Sequence, residues 1–164
     1  MDDIFLCLFP INLYIIIMVI HMKKFTYFIP SILLMIMIFS FSMQNGEQSS
    51  GLSLQIVYFM KKIFPFITNL DLLHLIIRKI AHMSEYALLT LSFIYGFYKN
   101  DMTWKKIYTY SLYCSFLYAC SDELHQLFVS QRAGQFHDVL IDTCGAILMI
   151  ILIIGIRRIK KQYD

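Results

Sequence analysis

Four continuous apolar runs, residues 25–43, 79–98, 104–121 and 139–156, restrict this chain more than any other feature. As helices rising about 1.5 Å per residue, each would extend roughly 27 to 30 Å, the depth of a bilayer's hydrocarbon. The runs are continuous in Ile, Leu, Phe, Tyr and Met and lack the alternation of a barrel strand. Helices are then the spanning structure that satisfies their backbone polar groups. Composition agrees, since 59% hydrophobic and 15% charged residues, with a mean hydropathy of +0.64, is too apolar for a soluble domain of 164 residues. The fold class read from these runs is all-α: a polytopic membrane helix bundle with four transmembrane helices, formed as one domain by residues 22–164.

Residues 4–20 are apolar too, but Pro10 and Asn12 interrupt them. Residues 1–21 are therefore read as an N-terminal apolar extension, with a fifth helix there as the alternative, and Met22-Lys23-Lys24 as a natural start. No small-x-small cleavage site follows Ser42, so the first run reads as a retained anchor rather than a signal peptide. Between the first two runs, Ile56, Met60, Ile63 and Ile67 recur at helical spacing around Lys61-Lys62. That pattern predicts an interfacial helix on the outer surface, bent or ended by Pro65.

Orientation follows from the cations. Lys23, Lys24, Lys99, Lys105, Lys106, Arg157, Arg158, Lys160 and Lys161 fall on one side of such a bundle, and Lys61, Lys62, Arg78, Lys79 and Arg132 on the other. Nine against five places both termini in the cytoplasm of a multi-pass cell-membrane protein. The net charge of +3 is spread through these flanking clusters, so nucleic acid is not an expected partner and membrane lipid is. Cys7, Cys114, Cys120 and Cys144 lie in apolar stretches without a C-x-x-C pair, and read as small apolar fillers rather than disulfides or zinc ligands.

The polar residues are less ordinary. In RKIAHMSEY, Arg78, His82 and Glu85 stand at i, i+4 and i+7, so His82 and Glu85 each lie within about 40° of Arg78 around the helix. Counting inward from Arg78, His82 is about 6 Å and Glu85 about 10 Å deeper. Asp138 and Asp142 are one turn apart at the outer end of the last run, and Asp122, His125 and Gln126 share a face where the third run reaches the surface. Facing lipid, each charge would cost a few kcal/mol, so three helix ends are expected to enclose them in one outward-facing site.

Two chemistries fit this set. In the first, Arg78 and Arg132 bind an anionic headgroup, precursor carboxylate or drug, while Asp122, Gln126, Asp138 and Asp142 orient them. In the second, a membrane-embedded hydrolase or transferase uses His125 or His82 as general base and Glu123 or Glu85 as general acid, with the arginines stabilising developing negative charge. A metal-assisted variant places a divalent cation among Glu85, Asp138 and Asp142, with His82 and His125 admitting zinc. The plain alternative is a structural network in which Arg78 or Arg132 neutralises Asp138 or Asp142.

RKIAHMSEYALL, then SDELHQLF, Arg132 and DVLIDTCGA, resemble the VanZ-like family of bacterial membrane proteins, and FSMQNGEQSSGLS resembles the polar stretch after that family's first helix. The resemblance covers residues 25–156. It carries over Arg78, Lys79, His82, Glu85, Tyr86, Asp122, Glu123, His125, Gln126, Arg132, Asp138, Asp142 and Gly145. Ser130-Gln131 stands where members often have a Pro-Gly-like turn. The resemblance implies a role in the cell envelope, with teicoplanin-type glycopeptide resistance and a cell-wall precursor or glycopeptide as partner.

Overall fold

The computed structural model describes residues 24–44, 46–129 and 134–163, and among these the chain is helical without a strand. The readings for residues 1–21 and for Met22 lie outside the described residues. After a helical turn at 24–26 come α1 (Ile29–Ser42), α2 (Gly46–Ile63), α3 (Leu70–Lys99), α4 (Trp104–Gln126) and α5 (Phe136–Tyr163).

Local chemistry sets the ends of these helices. Pro30 stands in the first turn of α1, where its missing N–H costs nothing. α2 stops two residues before Pro65, as expected from the sequence. Asn69 caps α3 by accepting from the Leu72 N–H at 3.0 Å, with Asp71 in the first turn and Lys99 in the last complementing the helix dipole. The α3–α4 turn is closed by Asn100, whose side chain donates to the Gly96 carbonyl at 2.8 Å, and by Asp101 in the left-handed region at φ 57°.

α3 is the central element, in contact with α1, α2, α4 and α5. Pairings along the helices fix their directions. Ser31 with Ser92, and Thr90 with Ser115, make α1 and α4 antiparallel to α3, whereas Lys79 with Asp138 and Met83 with Gly145 make α5 parallel to it. These interfaces are small and polar inside: Ser92 donates to Ser31 at 2.9 Å and Thr90 meets Ser115 at 2.8 Å, all four buried. Short hydroxyl side chains let the backbones approach and hydrogen-bond across the interface. Ile38, Tyr86, Leu89, Phe93, Ala119 and Val139 form the apolar core between them.

Among the described residues one helix, α5 over Phe136–Gln162, is long and apolar enough to cross a membrane by length and composition, with a mean hydropathy of 2.7 in its best window. α1 is apolar but 14 residues long. α3 and α4 have the length, yet their serines, threonine, histidines and carboxylates lower their apolarity. Of the four spans expected, the last is the one whose length and composition suit a membrane crossing.

α2 packs on the rest of the chain through a face beside the apolar stripe read from its sequence. Ser53 and Val57 are buried and Met60 half-buried, whereas Ile56 and Ile63 are exposed with Tyr58 and Phe59. The inward face is set one position away, because α2 docks on α3 through the Ser53–His74 hydrogen bond.

Candidate functional site

α3, α4 and α5 bring their polar residues together where α3 begins, α4 ends and α5 begins. Asp142 is fully buried, and His82 Nδ1 lies 3.8 Å from its Oδ1. Neither Asp142 oxygen has a hydrogen-bond donor, and the buried Tyr86 hydroxyl is likewise unpaired, among the described residues. Asp122 is buried and accepts from Gln126 Nε2 at 3.2 Å. Glu85, Asp122, Glu123 and Asp138 all lie close enough to Asp142 to act on its charge. Each buried carboxyl in such a cluster must be paired, hydrogen-bonded or protonated.

Two clefts open on this group. One, of about 170 Å³, lies among α1, α2 and α3 and is walled by Ile38, Phe41 and Ile77 with Ser53, Arg78, His82, Glu85 and Asp122. The other, of about 520 Å³, lies at the α3–α5 mouth and is lined by Asp71, His74, Arg78, Lys79, His82, Gln126, His137 and Asp138. Arg78 and His82 line both. Lys79 forms an ion pair with Asp138, while Arg78 has no hydrogen bond or ion pair to a described residue.

A family model described as VanZ/LLP1 matches residues 27–158. The chain belongs to the VanZ/LLP1 family. The matched span contains all of α1 to α4 and most of α5, and with them the whole polar group. VanZ/LLP1 proteins are membrane-associated, in keeping with the apolar length of α5. Neither a curated protein nor a solved structure gives a match.

The VanZ/LLP1 residues picked out from the sequence divide into three sets. Arg78, His82, Glu85, Asp122 and Gln126 line one or both clefts, Asp138 sits at the wider mouth, and Asp142 lies beneath His82. Glu123 and His125 turn elsewhere. Glu123 accepts from the Gln135 N–H at 2.9 Å and faces a separate apolar groove of about 290 Å³ between α4 and α5. His125 packs against Phe39 of α1, ring centres 4.6 Å apart and the rings tilted by 44°. Arg132 lies outside the described residues.

Among the described residues Asp138 is paired with Lys79 rather than with Arg78, since residue 79 faces α5. Among the described residues no three His, Cys, Asp or Glu side chains are grouped as metal ligands, and Lys79 holds Asp138. Sequence reasoning also passed over His74, although it stands one turn before Arg78 and extends the same stripe outward. Ser53, its partner, gave no signal at all, because nothing local marks which serine of α2 meets α3.

Proposed function

We propose that this VanZ/LLP1 protein crosses the cell membrane with four helices, α1, α3, α4 and α5. Both termini are then cytoplasmic, α2 lies on the outer surface, and the two clefts form an outward-facing receptor for an anionic envelope component. The ligand class is a lipid headgroup, a precursor carboxylate or the acidic part of a glycopeptide, and the biological role is tolerance of teicoplanin-type drugs. One observation carries the reading: Arg78 lines both clefts without an ion-pair partner among the described residues, beside a Lys79 that is already neutralised. A guanidinium with its donors unspent, in a partly desolvated cleft, favours a planar or phosphate anion over water. The arrangement of cations at the far end supports the orientation: Arg157 lies 3.5 Å over the Trp104 ring and donates to Tyr108, an aromatic and basic girdle suited to a membrane interface.

The test uses the purified chain in nanodiscs of zwitterionic lipid, titrated separately with short-chain phosphatidylglycerol, short-chain phosphatidylcholine and teicoplanin. Binding of the anionic lipid or the drug, and not of phosphatidylcholine, is expected. Arg78→Gln should weaken it at least about tenfold, or about 1.4 kcal/mol. Equal binding by Arg78→Gln and wild type would remove the basis of the reading. In a glycopeptide-sensitive host, expression should raise teicoplanin tolerance, and Arg78→Gln should not.

A further inference from the structure

Apart from the carboxylate cluster, one pair of side chains among the described residues has the geometry of a base-activated nucleophile. Ser53 of α2 and His74 of α3, 21 residues apart, place Ser53 Oγ 2.8 Å from His74 Nε2. A hydroxyl donating to a neutral imidazole is the first requirement of a base-activated nucleophile. The pair is set between the two clefts, Ser53 lining the narrower one and His74 the wider. Arg78 follows His74 by one turn on the same face of α3 and lines both. Asp71 precedes His74 by one turn and lines its cleft, which puts negative charge on the side of the helix where an imidazolium would form. Around Ser53 the wall is apolar, with Ile38, Phe41, Ile56 and Ile77, and Phe59 is exposed on α2 nearby.

We propose that Ser53 and His74 are the nucleophile and general base of a serine esterase acting on an acyl ester of an anionic membrane lipid. The anionic preference rests on the reading of Arg78 above; the dyad itself does not. With its proton on Nδ1, His74 accepts the Ser53 proton at Nε2 while Oγ attacks the ester carbonyl carbon. The carbonyl electron pair moves onto oxygen as the tetrahedral intermediate forms. Collapse breaks the carbon–oxygen bond to the glycerol. His74 returns its proton to the departing alkoxide, leaving acyl-Ser53 and a lysolipid. Water, deprotonated by His74, then attacks the acyl carbon and releases a fatty acid with Ser53 restored. The apolar walls would hold the acyl chain, and Arg78 the headgroup.

The purified full chain in nanodiscs is treated with a fluorophosphonate probe, and the adduct is located by mass spectrometry. An adduct on Ser53 is expected, absent in Ser53→Ala and formed at least about 100-fold more slowly in His74→Gln. Phosphatidylglycerol vesicles should release fatty acid with the wild-type chain and not with Ser53→Ala. A wild-type chain that carries no adduct on Ser53 and releases no fatty acid overturns the dyad, as does His74→Gln labelling at the wild-type rate. The two readings fail separately. If Ser53 labels but phosphatidylglycerol and phosphatidylcholine are cleaved alike, the dyad stands and the anion preference falls. Anion binding that depends on Arg78 in a chain inert to the probe leaves the receptor and removes the esterase.

Discussion

Gly145 of α5 lies directly on the Met83 carbonyl of α3, so closely that a Cβ at position 145 would collide with that oxygen. The two helices therefore touch backbone to backbone one turn below the His82–Asp142 pair. This contact sets the separation at which α3 and α5 present their polar residues to each other.

Gly145→Ala should push α5 away from α3 at a point where backbone, not a flexible side chain, must give. Overpacking of this kind costs about 1–3 kcal/mol. Gly155, whose added Cβ would meet nothing, provides the control on the same helix. Thermal unfolding in detergent should show a clear loss of stability for Gly145→Ala, and no loss or a small gain for Gly155→Ala. Equal midpoints for the two variants would count against the close contact.

Lys79 and Asp138 join α3 to α5 at the rim, each about a quarter exposed at 29% and 25%. A pair so open to solvent contributes at most about 1 kcal/mol. A double-mutant cycle with Lys79→Met and Asp138→Asn should accordingly give a coupling energy of at most about 1 kcal/mol, weakening in high salt. A coupling of several kcal/mol would mean that the pair is desolvated within the assembly.

The α3–α4 turn holds Asp101 at a positive φ, which a β-branched side chain tolerates poorly. Asp101→Val should lower stability by about 1–2 kcal/mol, while Asp101→Gly should hold or raise it. The comparison is read from urea or thermal unfolding of the two variants, and indistinguishable values would show that the turn relaxes into another conformation.

The proposed orientation makes the start of α5 and its end differ in access. In a background stripped of native cysteines, Gln135→Cys should react with an impermeant thiol reagent on intact cells, and Lys161→Cys should react only after permeabilisation. Labelling of position 161 from outside would reverse the topology.

The helices were legible from the residues alone, because hydrophobic length, proline, capping residues and turn chemistry act over a few neighbouring positions. Helical periodicity also showed that His82 and Glu85 share a face with Arg78, and the same periodicity could have added His74. The family too was legible, from polar blocks on separate helices. Which faces meet was not. Residue 79 rather than 78 reaches Asp138, His125 turns onto Phe39, Glu123 faces the other side of α4, and Ser53 is the serine of α2 that finds His74. Each outcome depends on the rotation and sliding of one helix against another. Those are fixed by contacts between residues distant in sequence, such as Gly145 on Met83 and Ser31 on Ser92, and no periodicity within a single helix contains them.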